Sequence, residues 1–542
     1  MFRSRKLDLL VLVLVCVGTM WWGLGKFGLT DPDEPFYAQT VREMLARHEW
    51  VTPVMYGQPN FEKPIIFYWL AMVTTKVCGE NEFGSRAPSA LAGTLTVLLL
   101  YFVVARIFNR RTGFLAGLVL ATALLFIGMA RLMLTDMVFT LFVCAACLYF
   151  WLATVEESRR DRWVILAFAA SALAVLTKGP LGSIIPLLAA VAFTLAAKRP
   201  WLLRGAGLGW GLLVFLVIAV PWFAVMLWKY GWEYFQAFFI HENFQRAYTA
   251  EHPKSNTPWF YLGVIALGSI PWLAVWGVAG ARAWRDYKTK APQLFLWCWL
   301  VAGYLFLTFA AQSKLPSYGL FLCVPVAGLL GAALDSLLTQ GFQDRGERWA
   351  AQSLCLIQMI AGFLLVQHRT SWGPGLAVGV CLAVPLGLLL RRPSPVWIWA
   401  TAANTIVVVV GALMFATPQI EPIISMKPMT AELLKATRPG EPIVCSRSLA
   451  RGIYYYTGHP VEVLSETKQI YYSPHALPAV IGMKGLQEYL QAHQTAPCVF
   501  TDSNWRQVTQ SMPSVSYAGL HFMGKKAFQR LNASPAGTIP VP

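Results

Sequence analysis

Long apolar runs separated by short polar turns fill the chain as far as residue 416. A membrane span needs about 20 apolar residues. Runs of that kind predict spans at 8–26, 87–108, 113–130, 137–155, 163–177, 180–197, 207–228, 259–280, 292–311, 318–338, 350–366, 373–390 and 395–416, thirteen in all. The runs at 163 and 180 are parted only by Thr177-Lys178-Gly179-Pro180, whose Gly-Pro suits a tight hairpin. Beyond 416 the pattern changes. Short β-like runs (Pro442–Cys445, Gly452–Tyr456, Val461–Leu464, Pro497–Phe500, Val515–Phe522) alternate with helical patterns at Thr430–Ala436 and Met483–His493. Alternation of that kind predicts a small α/β domain over 417–542, behind a transmembrane domain over 1–416.

Two polar segments interrupt the apolar part. Residues 28–86 contain Phe36, Tyr37, Thr40, Val41, Met44 and Leu45 at helical spacing, with Arg42, Glu43 and Arg47 between them. That pattern predicts an amphipathic helix lying on the membrane. Ile65–Val73 is too short to span and predicts a second interfacial helix, with Pro64 in its first turn. The other segment is an external loop over 229–258, aromatic and carrying His241, Glu242, Asn243, Arg246 and His252.

Composition agrees with a multi-pass membrane protein. Of 542 residues, 56% are hydrophobic and 13% charged, with mean hydropathy +0.51. A soluble domain carries about a quarter charged residues. The net charge of +17 does not indicate nucleic acid, because the basic residues sit in clusters between spans. With the N-terminus inside, the cytoplasmic turns hold Arg106/Arg110/Arg111, Arg159/Arg160/Arg162, Lys198/Arg199/Arg204, Arg282/Arg285/Lys288/Lys290, Arg345/Arg348 and Arg391/Arg392. An odd number of spans then places the C-terminal domain outside, and losing one span would invert half of these clusters. The first run follows Arg3, Arg5 and Lys6 without a small-residue cleavage site, so a retained helix is expected. Cys144 and Cys147 read as packing within a span, and Cys445 and Cys498 of the tail are left open to pairing.

Candidate chemistry gathers on the outer side. Asp31-Pro32-Asp33-Glu34 is denser in acid than a helix cap requires, although Asp33 suits an N-cap. Asp33 is the first candidate for a catalytic carboxylate. Glu62-Lys63-Pro64 opens the second interfacial helix, where free N–H groups and a positive dipole favour phosphate. Lys63 adds a full charge, and Glu62 is a candidate ligand for a metal, an amine or a hydroxyl. Asp136 stands at the outer end of the fourth span. An Asp deep in a span costs roughly 2.5–3.5 kcal/mol; at the outer end it costs less, yet an ionisable residue at a span end is a functional candidate by default. Tyr37, His241, Arg246, Lys314 and Tyr318 are further substrate-binding candidates. Lys178 is ambiguous, and His252 reads as a loop residue. No phosphate-binding loop, dinucleotide fingerprint or zinc motif is present.

PDEPFYAQTVREML, NFEKPIIFYWL, LTKG, ENFQR and KLPSY occur in that order over residues 32–318. Together they resemble the polyprenyl-phosphate glycosyltransferases of the GT-C class, and within it the bacterial 4-amino-4-deoxy-L-arabinose transferases, relatives of the protein O-mannosyltransferases. The resemblance implies an all-α polytopic fold with an external tail. It implies a sugar donor on undecaprenyl phosphate, a lipid A phosphate acceptor and chemistry on the periplasmic face of the bacterial inner membrane. Lipid A so modified gives resistance to polymyxin and cationic peptides.

In such a reaction the leaving phosphate gathers negative charge, which preorganised cations stabilise. Lys63, Arg246 and Lys314, with Tyr318, are the expected cations and donor. A lipid A phosphate is already ionised near neutral pH, so Asp33 and Asp136 are expected to position substrate more than to remove a proton, with inversion at the sugar. No organic cofactor is expected. A divalent metal, zinc or magnesium, is an open expectation, with Glu62 and His241 as its candidate ligands. The expected partners are the lipid-linked donor, lipid A and membrane lipids, without nucleic acid, the protein acting as a monomer. Two alternatives stay open: transfer to protein or another glycan, with Asp33 as a true base, and lipid transport. Transporters keep ionisable groups near the midplane of repeated halves, and neither sign is present here.

Overall fold

The computed structural model describes residues 4–245, 256–286, 292–310, 314–367, 395–466, 477–493, 495–511, 517–523 and 526–532. The chain divides into two compact units. One comprises Met1–Leu24, Lys63–Phe67 and Arg86–Leu413, the other Gly25–Glu62, Tyr68–Ser85 and Met414–Pro542. Most of the segment 28–86, expected as a loop of the transmembrane domain, therefore groups with the C-terminal part.

Helix occurs in every expected span within the described residues, while the run 373–390 lies outside them. Among the described residues, five helices are long and apolar enough to cross a membrane: Glu82–Ile107, Thr135–Val155, Ala206–Gln245, Pro316–Gln340 and Pro395–Phe415. Arg110–Thr122 and Leu124–Ala130, bent by 64°, make a sixth if they form one span. Leu181–Ala197 and Leu294–Ala310 are apolar but shorter. The expected span at 259–280 is broken into Phe260–Gly268 and Val275–Asp286. Pro271 lies in the break and has no N–H to continue a helix. By length and composition alone, then, the helices of the described residues do not reach the count of thirteen.

The external loop expected over 229–258 is also partly helical. The helix Ala206–Tyr234 turns at Gly231 (φ 55°) and continues as a wider helix to Gln245. Aromatic packing holds that extension. Phe238 stacks on Tyr234 with centroids 5.6 Å apart and meets Phe223 at 5.7 Å. At the start of the chain, Arg5–Cys16 runs into a wide turn, Val17–Trp21. The carbonyls this end exposes are taken by buried arginines. Arg131 donates to Thr19, Met20 and Trp22 (2.9–3.1 Å), and Arg86 to Leu24 (3.1 Å). Some of the basic residues read as topology signals are ion-paired: Arg110 with Asp8, Arg111 with Asp335. Cys144 and Cys147 are buried thiols within a span, as packing requires.

The second unit contains a six-stranded sheet. Its small companion hairpin pairs β1 (Val54–Met55) with β2 (Gln58–Pro59). The sheet comprises β3 (Ile443–Ser446), β4 (Val461–Ser465), β5 (Ala479–Ile481), β6 (Thr495–Thr501), β7 (Tyr517–Met523) and β8 (Lys526–Asn532), in the order β5-β4-β3-β6-β8-β7. The first four strands are parallel, and β8 and β7 add antiparallel. Both faces are buried. Cys445, Val463 and Val499 pack with Leu449, Ala450 and Ile453 on one side. Val444, Cys498 and Phe500 pack with Leu486, Leu490, Trp505 and Val508 on the other. Cys445 and Cys498 thus lie on neighbouring strands but in opposite cores, and both are free thiols.

One expected strand is a helix. Gly452–Tyr456 belongs to Ala450–Thr457, where three tyrosines suggested strand. Tertiary packing overrides that propensity, because Ala450 and Ile453, three residues apart, both reach the core. The helix Asp33–Ala46 is present, but its apolar stripe does not lie on lipid. Phe36, Val41 and Met44 are at most 2% exposed, and Glu34, Gln39 and Thr40 are buried beside them. The helix Ala450–Thr457 and β1 pack on it within the same unit. Arg42 donates to the Tyr455 carbonyl (2.7 Å), and Tyr56 meets Tyr454 edge-on at 4.7 Å. The second expected interfacial helix runs Ile66–Cys78 and does leave Val73 and Val77 exposed.

Candidate functional site

In the first unit, three elements bring Asp136, Lys178 and Tyr318 to one place. Asp136 is the second residue of Thr135–Val155, where the helix dipole favours a carboxylate. Lys178 is the last residue of Arg160–Lys178, where the dipole favours a cation. Their side chains pair at 2.7 Å and are 11% and 13% exposed. The same ammonium lies 4.6 Å from the centre of the Tyr318 ring and 5.7 Å from that of Phe139. Tyr318 comes from the tight turn Pro316–Leu322.

A second buried pair lies close by. Lys63 Nζ is 3.0 Å from Glu242 Oε2, with both side chains largely buried. Gly179, in the hairpin behind Lys178, has φ +89° and packs on Asn243, the residue after Glu242. A Cβ at Gly179 would sit 2.9 Å from Asn243 Oδ1, so the backbone angle and the close approach both call for glycine. Lys314 is 3% exposed and donates to the Thr257 carbonyl at 2.9 Å. Burial pushes its ammonium below the ordinary lysine value. The expected role of Lys63 at a helix start needs adjustment. The helix begins at Ile66, and the charge of Lys63 is matched by Glu242.

The second unit holds Asp33, Tyr37 and Glu62. Asp33 is the first helical residue and is exposed. The cap position belongs to Pro32, which makes no side-chain cap bond. Glu34 reaches back from the first turn, its Oε2 accepting the Thr30 N–H at 2.7 Å. The N-cap reading of Asp33 is therefore incorrect. Tyr37 is buried against Phe36 and Tyr68. Glu62 faces Arg451 at 3.8 Å, and Arg451 lies over the Phe36 ring at 4.3 Å.

A carboxylate facing a guanidinium is a poor metal ligand, and stable divalent sites usually draw on three or four ligands. Among the described residues no group of three or more His, Cys, Asp or Glu side chains could hold a metal. His241 Nδ1 meets Gln245 Oε1 at 3.0 Å along its own helix. The described residues do not fit the metal expected at Glu62. Arg246 and His252 lie outside the described residues. Sequence reasoning missed Glu242 and Arg451 as partners and left Lys178 undecided. The LTKG run carried the signal for Lys178. Nothing local marks Arg451, 389 positions from Glu62 (451 − 62).

The family described as dolichyl-phosphate-mannose-protein mannosyltransferase matches residues 62–225. An undecaprenyl phosphate-alpha-4-amino-4-deoxy-L-arabinose arabinosyl transferase 2 of Pseudomonas fluorescens is 32% identical over 427 residues, 76% of this chain and 72% of that protein. The chain belongs to that arabinosyl transferase family. The enzyme of the same name, without the numeral, from Pseudomonas aeruginosa is 33% identical over 335 residues, 61% of this chain and 60% of its own length. The crystal structure of ArnT from Cupriavidus metallidurans bound to undecaprenyl phosphate superposes with a TM-score of 0.79. It covers 99% of this chain and 100% of that one at 23% identity, which establishes the shared fold. As a member of this family, the chain is a multi-pass membrane glycosyltransferase.

The acidic run also contributes a buried group outside the expected set. Asp31 pairs with Lys526 at 3.4 Å, the two side chains being 6% and 4% exposed. Burial pushes the Asp31 carboxyl up to about 7, with Glu34 adding to the rise, while Lys526 and the Met426 amide oppose it. Burial likewise lowers Lys526. A carboxyl raised on folding stabilises most below its unfolded value near 4 and loses that contribution as pH rises through about 7. Thermal unfolding of wild type and Asp31→Asn should therefore diverge between pH 4 and 7. Wild type should lose on the order of a few kcal/mol relative to the variant. Parallel pH profiles would show that Asp31 titrates as an ordinary carboxylate.

Proposed function

We propose that this glycosyltransferase moves 4-amino-4-deoxy-L-arabinose from undecaprenyl phosphate to lipid A phosphate groups on the periplasmic face of the inner membrane. The reading includes thirteen spans, a cytoplasmic N-terminus and an external α/β unit. Transfer would reduce the negative charge of lipid A and so confer resistance to polymyxin and cationic peptides. The observation that carries it is the set of largely buried lysines in the first unit, Lys63, Lys178 and Lys314, two of them facing carboxylates and one a carbonyl.

Such a set suits a phosphate leaving group. Fixed cations in a region of low dielectric stabilise developing charge more strongly than cations in water. Each carboxylate holds its lysine aimed before substrate arrives. Departure of the polyprenyl phosphate leaves negative charge on its oxygens, which Lys63, Lys314 and the Tyr318 hydroxyl would take up. The acceptor phosphate attacks already ionised, so no side chain must remove a proton in that step. Direct attack inverts the sugar carbon. Asp33 is assigned to orient the acceptor or the sugar amino group, an assignment that comes from the family resemblance.

Purified protein with the lipid-linked aminoarabinose should modify lipid A, seen as a mass increase of one aminopentose, and leave peptide acceptors unmodified. Modified peptide with unmodified lipid A would replace this reading by protein glycosylation. Lipid movement across the bilayer without sugar transfer would replace it by transport.

A further inference from the structure

Open α/β sheets bind ligands in the crevice outside the carboxyl ends of their strands, where the strand order reverses. In the second unit that point falls between β3 and β6. The chain runs from β3 outward to β4 and β5, then returns to place β6 on the other side of β3. The helix after β3, Ala450–Thr457, packs on one face of the sheet, and the helix after β6, Asp502–Ser511, packs on the other. Their divergence opens a pocket of ≈ 910 Å³. Its walls are the ends of β3 and β6 and one face of Asp502–Ser511, and Asp31 and Lys526 line it as well.

The helix wall is polar, while Ile423, Ile424 and Leu449 make an apolar part of the lining. Asp502, Arg506 and Gln510 stand at i, i+4 and i+8 on the helix, with Gln507 beside them. Spacing of four places such side chains on one helix face. Arg506, Gln507 and Gln510 are exposed. The side chains of all four make no hydrogen bond or ion pair with the described residues. Asp31 lines the same pocket, held by Lys526 at 3.4 Å with its Oδ1 packed against Gly452.

The charges choose the ligand class. Two cations, Arg506 and Lys526, face two carboxyls, Asp31 and Asp502. A small anion would meet repulsion and attraction together. Guanidinium, amide and carboxyl groups offer paired donors and acceptors in fixed planes, which suits adjacent hydroxyl and amino groups. The volume is that of a small-molecule site, about 300–1,000 Å³. We infer that this crevice binds a saccharide, at a site made by the second unit alone and independent of the transfer reading. An amino sugar fits best, because its amine can meet Asp502 while its hydroxyls meet Arg506, Gln507 and Gln510.

Saturation-transfer NMR on the full-length protein in detergent micelles tests this, with a glucosamine disaccharide as probe and inorganic phosphate as competitor. The disaccharide should receive saturation from wild type. The double variant Arg506→Ala/Gln510→Ala should bind it roughly tenfold more weakly, having lost two hydrogen-bonding groups. Both residues are on the exposed face of their helix, so an unchanged melting temperature is expected and makes the comparison clean. Inorganic phosphate should not displace the sugar. No saturation in wild type, undiminished binding in the double variant, or displacement by phosphate at equal concentration would each overturn the saccharide assignment. None of these outcomes depends on whether lipid A is modified.

Discussion

Asp33→Asn should lower sugar transfer by roughly 10²–10⁴-fold while the protein folds as before. The structure removes the competing explanation. A capping Asp would be missed for its hydrogen bond, at a cost of about 0.5–2 kcal/mol. Here the cap position is Pro32, and Glu34 takes the Thr30 amide. Asp33 is exposed at the start of its helix, and Asn is close to Asp in shape. Transfer rates and melting temperature measured on the same preparation decide the matter. Full activity in Asp33→Asn would end its catalytic assignment.

Asp136→Asn and Lys178→Met should each abolish transfer and each destabilise the first unit by about 3–5 kcal/mol, because either one leaves a buried charge without its partner. The double variant Asp136→Asn/Lys178→Met should regain most of that stability and none of the activity. Replacement of a whole buried ion pair by groups of similar volume is often neutral. The pair is 2.7 Å apart, and its lysine lies over Tyr318 at 4.6 Å, so three candidates change together. A purely structural pair would behave differently, since the double variant would then regain transfer along with stability. Melting temperature and lipid A modification, read on all three variants, separate the two roles.

The site was legible in proportion to how local its signals were. Asp136 was singled out because an ionisable residue at a span end is a functional candidate by default. The hairpin at Gly179 was found because Gly-Pro has few other uses between two apolar runs. Lys63 was found as a cation, but its environment was misjudged. Glu242 reaches it from 179 positions away (242 − 63), and no local pattern announces that partner. Asp33 was suspected of capping because acidic residues often cap helices. One residue of helix boundary reversed that reading. The Gly452–Tyr456 strand failed for a similar reason, three tyrosines favouring strand until the core claimed Ala450 and Ile453.

By itself the sequence determined the class of molecule: apolar periodicity and spaced basic clusters require a multi-pass membrane protein, and the ordered motifs select the transferase family. It also determined the α/β character of the tail, since strand and helix patterns depend on neighbours a few residues apart. The tertiary structure alone decided the partners of each charge. Lys63 with Glu242, Glu62 with Arg451 and Asp31 with Lys526 are ion pairs across long separations in the chain. It also decided that the stripe of Asp33–Ala46 meets protein, and that β3 and β6 part to form a crevice. The physical reason is common to all of them. A side chain's hydration, and hence its charge and reach, is set by what the fold packs against it, and that is a property of residues distant in sequence.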